Sequence, residues 1–414
     1  MSVIVTGGGA AGMMAAIYAA RAGEKVTLLE RNEKLGKKIY ITGKGRCNVT
    51  NTAKPEQFMA NISRNPRFAY SALSFMSNQD LMKLFEELGV ALKVERGGRV
   101  FPASDHASDI TKALEREMLK RGVKTILGCR VARILTGEGR ALGVELENGQ
   151  RMMADAVIVA TGGLSYPSTG STGDGYGFAS QTGHALTNTR PSLTGIETVE
   201  SWPGELSGLT LKNVKLSANL NSGGKNKKLF SEQGEVLFTH YGISGPLVLS
   251  LSSLLPDEYA GLDISIDLKP ALDRQTLDAR LLKEFKFMSR RQLAAVMDTL
   301  EPHSLGMCLL RLADLDAGQS ANSVTAQQRT ALIEIIKNVK LTIKSLRGYE
   351  EAVITRGGID VKQINPSTME SKVVKGLYFA GEVIDIDAMT GGFNLQLAFS
   401  TGALAGDRAA RVRI

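Results

Sequence analysis

Cysteine is scarce: the 414 residues contain three, Cys47, Cys129 and Cys308. Thiols scattered so widely build no disulfide framework and fall at no metal-ligand spacing, so a reducing cytoplasm is the simplest home. Histidine is also sparse. The four residues, His106, His184, His240 and His303, form no HExxH pair and stand in no Ser-His-Asp order. That excludes zinc-protease and serine-hydrolase chemistry of the usual kinds. No run approaches the ~20 apolar residues that a membrane helix needs. The first strand begins by Val3, which leaves no room for a signal peptide and fits a cytoplasmic protein. Internal repeats and low-complexity tracts are missing.

What remains is a chain of ordinary globular composition, 43% hydrophobic and 22% charged, long enough for two or three domains. The net charge is +8. Basic residues gather at Lys34, Lys37, Lys38, Lys44 and Arg46, and again at Lys225, Lys227 and Lys228. These read as a solvated surface plus a site for cofactor phosphates. RNA contact is the alternative, although no RNA-binding module with its own signature is visible.

Val3–Thr6 is a short β-branched run. Gly7-Gly8-Gly9-Ala10-Ala11-Gly12 follows, then an alanine-rich helix over Met13–Ala22, then a second strand, Lys25–Glu30. This is a βαβ unit with Gly7, Gly9 and Gly12 in the dinucleotide fingerprint. The first glycine permits the tight turn, the second lets the backbone approach a pyrophosphate, and the third lets helix pack on strand. The helix N-terminus then faces the phosphates. Glu30 ends the second strand, about 20 residues on, where a ribose-binding carboxylate belongs.

Helices are expected over 67–92 and 107–122. Lys124–Val131, Ala141–Leu146 and Arg151–Met153 read as strands of a small sheet. Asp155–Ala160 is a buried strand running into Thr161-Gly162-Gly163. From Thr194 to Asp267 the segments alternate in β fashion, and from 272 to 346 the apolar spacing is helical. The β/α style then returns, with a final helix from Asn394 to Arg408. The fold class expected is α/β. A Rossmann-like domain, 1–190 and 351–414, is interrupted by a β-rich subdomain, 191–270, and a helical one, 271–350.

The fingerprint does not choose between NAD and FAD. Ala160-Thr161-Gly162-Gly163 and Gly376-Leu377-Tyr378-Phe379-Ala380-Gly381-Glu382 favour FAD. The second leads through Asp385 and Asp387 to Thr390-Gly391-Gly392-Phe393-Asn394. A strand ending in Ala-Gly-Glu, an acidic loop and a helix start suit a ribityl chain and an isoalloxazine O2. The helix N–H groups would stabilise charge on the reduced flavin's N1–C2=O edge.

These segments, with GKGRCN (43–48), YPSTGSTGDGYGFA (166–179), LFTHYGISGP (237–246), TRGGI (355–359) and the long block at 368–402, resemble the BaiN/YhiN-like family of flavoproteins, of the two-dinucleotide-binding-domain class, end to end. The resemblance implies an FAD domain broken by a barrel-like and a helical subdomain. It implies cofactor contacts at Gly7, Gly9, Ala10, Ala11, Gly12, Glu30, Arg31, Lys38, Gly43, Gly45, Arg46, Cys47 and Asn48. Further contacts fall at Val131, Ala160, Thr161, Gly162, Gly381, Glu382, Asp385, Gly391, Gly392, Phe393, Asn394 and Leu395. Members reduce ring C=C bonds of 3-oxo bile-acid intermediates, or a uracil of large-subunit ribosomal RNA to dihydrouridine. Both acceptors present a C=C bond conjugated to C=O.

Two side chains are candidates for acid catalysis. Cys47, beside Lys44 and Arg46, would have a lowered pKa and could give a proton, or else it is a packing residue under the cofactor. His240, between the strand Val236–Thr239 and a helix starting at Pro246, could polarise a carbonyl from the inserted region, or else is satisfied structurally. No second GxGxxG exists for NAD(P)H, so that reductant would dock transiently over the flavin. A flavin-bearing, ribosome-associated binder without turnover is the alternative of another class. A fumarate-type dehydrogenase would need arginine and histidine clamps for which the chain offers little material. Oligomeric state is not legible.

Overall fold

The computed structural model describes residues 1–222 and 225–411; the side chains of 221, 222, 225 and 226 lie outside the description, the basic Lys225 among them. The chain divides into two compact units. One is Met1–Ser192 together with the segment from Gly348 onward; the other is Leu193–Arg347.

The first unit is built on five parallel strands: β1 (Ser2–Thr6), β2 (Lys25–Leu29), β3 (Lys124–Ile126), β4 (Ala156–Val159) and β5 (Leu377–Phe379). Their order is β5–β4–β1–β2–β3, all parallel. Apolar β-branched runs such as Val3-Ile4-Val5 and Val157-Ile158-Val159, at most 3% exposed, are what a sheet covered on both faces requires. Order reverses at β1, so the crevice beyond the carboxyl ends of β1, β4 and β5 is a topological switch point. Helix α1 (Ala10–Arg21) follows β1, and α2 (Phe393–Ala409) closes the domain. The two helices approach to backbone contact. A Cβ on Gly402 would lie 2.2 Å from the Ala11 carbonyl oxygen, and one on Gly406 2.2 Å from that of Ala15.

The sequence reading needs three local corrections here. Lys124–Val131 is not one strand of a small sheet. Gly128, at φ +63°, breaks it, so β3 joins the parallel sheet and Val131–Gly137 pairs with Arg140–Leu146. The helix expected over 67–92 is two, Pro66–Phe75 and Asn78–Glu87. Ser77 starts the second by a capping box with Asp80. The region 272–346 is not helical throughout.

That last point concerns the second unit. Its centre is a closed antiparallel barrel of Ile196–Thr198, Gly242–Ser244, Lys225–Thr239, Thr210–Ser222, Asp263–Asp267 and Val339–Leu346. The closing strand, Val339–Leu346, comes after the helices Arg274–Phe287, Leu293–Met297, His303–Leu312 and Ala326–Lys337. Barrel and helices share one apolar core, with Leu216, Ile266, Leu281, Leu309 and Ile336 fully buried. Barrel and helices together make up one compact unit. No described helix is long and apolar enough to cross a membrane.

Candidate cofactor site

The glycine turn is fixed by contacts that tolerate no side chain. Gly7 is left-handed, at φ +102°, and a Cβ there would lie 2.5 Å from the Ala160 carbonyl oxygen. At Gly12 a Cβ would sit 1.8 Å from the Gly7 oxygen. At Gly9, by contrast, a Cβ would meet nothing within 4 Å, and the backbone is extended. Space held open at the start of a helix, with no side-chain cap and no acid in its first turn, fits a ligand phosphate.

Glu30 is 7% exposed and orders this turn. Its Oε2 accepts the Gly8 N–H at 2.6 Å, and its Oε1 accepts both nitrogens of Asn32 at 2.8 and 2.7 Å. Lone pairs remain for a ribose hydroxyl. Arg31 bonds Thr172 and Asp174, which Arg130 also grips, so the loop 166–174 is tied to the end of β2. Val131, 4% exposed, opens the neighbouring strand.

At the other end, Ala160-Thr161-Gly162 leaves β4 and Gly381-Glu382 leaves β5. A Cβ on Gly381 would lie 2.8 Å from that of Ala11, and its N–H donates to Thr401 Oγ1 at 2.9 Å. The Glu382 carboxylate takes Lys38 Nζ at 2.6 Å and the Thr355 N–H at 2.7 Å. Asp385, 2% exposed, is neutralised by Arg64 and Asn65. Helix α2 starts at Gly392, φ +98°, without a side-chain cap or acidic first turn. Asn394 clamps both backbone groups of Ala388 at 2.9 and 2.8 Å, Phe393 packs edge-on against Phe58, and Leu395 lies half-buried beside them. A Cβ on Gly392 would come within 2.9 Å of Asn48 Oδ1, so the 43–48 loop reaches this second helix start.

Among the buried polar atoms of this unit without a hydrogen-bond partner are Asn48 Oδ1, Thr161 Oγ1 and Tyr176 OH. Each such group costs about 1–3 kcal/mol unless a ligand satisfies it. Two uncapped helix starts, an open Gly9 and orphaned polar atoms fit an extended dinucleotide lying across the strand ends. Among the described residues no cluster of His, Cys, Asp or Glu could hold a metal ion.

Two expectations about the Gly43–Asn48 loop do not hold. The Arg46 guanidinium is engaged by Glu95 at 2.7 Å and Asp105 at 3.2 Å and lies 4.1 Å over the Phe101 ring, so it is committed to protein partners rather than a phosphate. With that cation occupied, no charge lowers the pKa of Cys47. The thiol is fully buried, and burial pushes it up to about 12, against a small opposing effect from Thr42. Gly43, Lys44 and Gly45 sit exposed around it in left-handed geometry. Cys47 is a packing residue. In the native protein it should resist a thiol reagent that labels the more accessible Cys129, and Cys47→Ala should keep the pH profile of turnover unchanged. Rapid labelling of Cys47, followed by mass mapping, would contradict this.

His240 lies in the second unit, exposed at the turn between Lys225–Thr239 and Gly242–Ser244, with its ring edge-on to Tyr241 at 5.0 Å. The short strand Gly242–Ser244, unforeseen in the sequence, separates it from the helix Pro246–Leu254. Sequence reasoning also missed Thr355. Its hydroxyl accepts the Leu164 and Ser165 N–H groups at 2.8 and 3.0 Å, and its own N–H binds Glu382. It stands in the TRGGI segment, which was read only as a whole.

The parallel sheet, its order and the fingerprint turn define a protein of the Rossmann class. The chain belongs to a particular family within it: residues 1–408 match the HI0933-like protein Rossmann domain. It is 33% identical over 412 residues to the 3-dehydro-bile acid delta(4,6)-reductase of Clostridium scindens, covering 98% of each chain. It is 32% identical over 404 residues to the ribosomal RNA dihydrouridine synthase of Haemophilus influenzae, covering 96% of each. Among solved structures, the 3-ketosteroid delta1-dehydrogenase of Sterolibacterium denitrificans shares the fold, with a TM-score of 0.52, 13% identity and 99% of both chains covered.

Proposed function

We propose that this protein is an FAD-dependent reductase of a C=C bond conjugated to a carbonyl, with a 3-oxo steroid or bile-acid ring as the first acceptor class. The observation that carries the reading is the pairing of an open, uncapped dinucleotide turn at Gly9 with a second uncapped helix start at Gly392. Bound FAD, when reduced by a nicotinamide docking transiently, supplies hydride from N5 to the acceptor's β-carbon. The chain's own part is to hold that cofactor. Gly7–Gly12 and the first turn of α1 face its diphosphate, Glu30 its ribose, and Glu382 with Lys38 its ribityl chain. The Gly392–Leu395 turn faces the carbonyl edge that gains charge.

Full-length similarity to a bile-acid reductase supports the steroid ring. Similarity to ribosomal RNA dihydrouridine synthases supports a uracil as the second reading, and the net charge of +8 favours it too. The test is anaerobic. Protein is mixed with NADH or NADPH until the flavin band bleaches, then given a 3-oxo-4-ene steroid or a ribosomal RNA fragment, and the product is weighed. Gain of two hydrogens on the steroid supports the first reading. Gain on the RNA, with affinity falling steeply with salt through counterion release, supports the second. Bleaching without transfer to either acceptor would contradict both.

A further inference from the structure

Asp387 is the least satisfied ionisable group of the first unit. It is 1% exposed, and neither carboxylate oxygen has a hydrogen-bond partner among the described residues. The buried hydroxyl oxygen of Ser63, close by, is equally without one. Two residues back in the chain lies Asp385, and the two acids are treated very differently. Asp385 holds Arg64 and Asn65, whereas Asp387 has only the Ser63 hydroxyl close by.

The position is fixed by its surroundings. Asp387 and Ala388 pair antiparallel with Ile62–Arg64, Asn394 clamps Ala388 to the first turn of α2, and Asn51 holds the Gly391 carbonyl at 3.0 Å. Asp387 thus lies on the short segment joining Glu382 and Asp385, at one side of the site, to the Gly392 helix start at the other. A carboxyl kept dry and unbonded there is costly for the fold, which makes it a group reserved for chemistry.

We propose that Asp387 is the proton donor that completes reduction of the acceptor, an assignment that rests on the reductase reading above. The β-carbon takes hydride, with its electron pair, from the reduced cofactor. The acceptor's C=C π pair moves toward the carbonyl. The α-carbon then takes the Asp387 proton, breaking the carboxyl O–H bond and leaving a carboxylate that solvent reprotonates. The groups facing Asp387 set its readiness. Together they raise its pKa to about 6: burial is the largest cause, Arg356 opposes it, Asp385 adds to it, and Arg64 and the Ser63 hydroxyl have smaller lowering effects.

The test uses holoenzyme and the isosteric variant Asp387→Asn. Flavin reduced with dithionite is mixed with the 3-oxo-4-ene steroid or the RNA fragment. We expect reoxidation to slow by about 100-fold or more, as loss of a general acid does. The unsubstituted protein should lose rate above pH about 6, Asp387→Asn should show no such fall, and Asp387→Glu should recover part of the rate. Stability of cofactor-free protein gives an independent readout. A carboxyl whose folded pKa is raised from 3.8 to about 6 destabilises the fold progressively between those pH values and by a constant amount above them. Asp387→Asn should therefore melt higher than the unsubstituted protein at pH 8 and equally at pH 3.8 or below. Unchanged reoxidation by the variant overturns the assignment alone. So does loss of bound flavin from it, which would place Asp387 in cofactor binding. If the unsubstituted protein reduces neither acceptor, the reductase reading falls and the assignment with it.

Discussion

Gly9→Val should yield a protein that folds and melts as the unsubstituted chain does, yet purifies without flavin. The backbone at Gly9 is extended, at φ −83° and ψ −169°, so a side chain costs no strain there. Nor does its Cβ meet any protein atom within 4 Å. The space is closed only when a phosphate comes to the helix start. Binding should weaken at least ~100-fold, or about 2.8 kcal/mol at 1.4 kcal/mol per decade. Gly12→Val makes the useful contrast. Its Cβ would collide with the Gly7 carbonyl oxygen at 1.8 Å, so there the turn itself is lost and stability falls along with binding. Titration of cofactor-free protein with FAD, beside thermal melts, separates the two. Equal flavin affinity for Gly9→Val and the parent would remove the physical basis of the site.

Gly402→Leu, at a buried glycine, should strongly destabilise the first unit. Helices α1 and α2 meet where Gly402 and Gly406 leave room for the carbonyls of Ala11 and Ala15, and backbone cannot move aside as a side chain can. Overpacking of this kind costs ~1–3 kcal/mol or more. That is a large fraction of the ~5–15 kcal/mol available to a domain. Because the same contact sets Ala11 against Gly381, flavin affinity should fall with stability. Gly402→Ala should show a milder form of both. A Gly402→Leu protein with an unchanged melting midpoint would mean that the helices do not approach this closely.

Much of this site was legible because its parts are local. A glycine that cannot carry a Cβ, a helix start without a cap and an acid at a strand end are all written within a dozen residues, and the Gly7–Gly12 turn and Glu30 lie where that text put them. The barrel was harder. Val339–Leu346 alternates apolar and polar residues, the period of a half-buried strand, but it follows four helices and its partners lie far back in the chain. Only the closed barrel, pairing it with Ile196–Thr198 and Asp263–Asp267, reveals why it is not a fifth. Cys47 and Arg46 misled for a related reason. Adjacent in sequence, they suggested a thiol activated by a cation. The fold sends the guanidinium to Glu95 and Asp105, residues that no local pattern connects to it. Asp387 shows the same limit from the other side. Its motif was visible, but the absence of any partner is a property of the packed chain.

The central claim is that a flavin dinucleotide spans the carboxyl ends of β1, β4 and β5. Its most direct test is to purify the protein under native conditions, release any chromophore by denaturation and identify it by mass, then offer FAD to the colourless fraction. Stoichiometric FAD, released or taken up, is the expected result. Protein that carries no flavin and binds none when FAD is supplied in excess would contradict it.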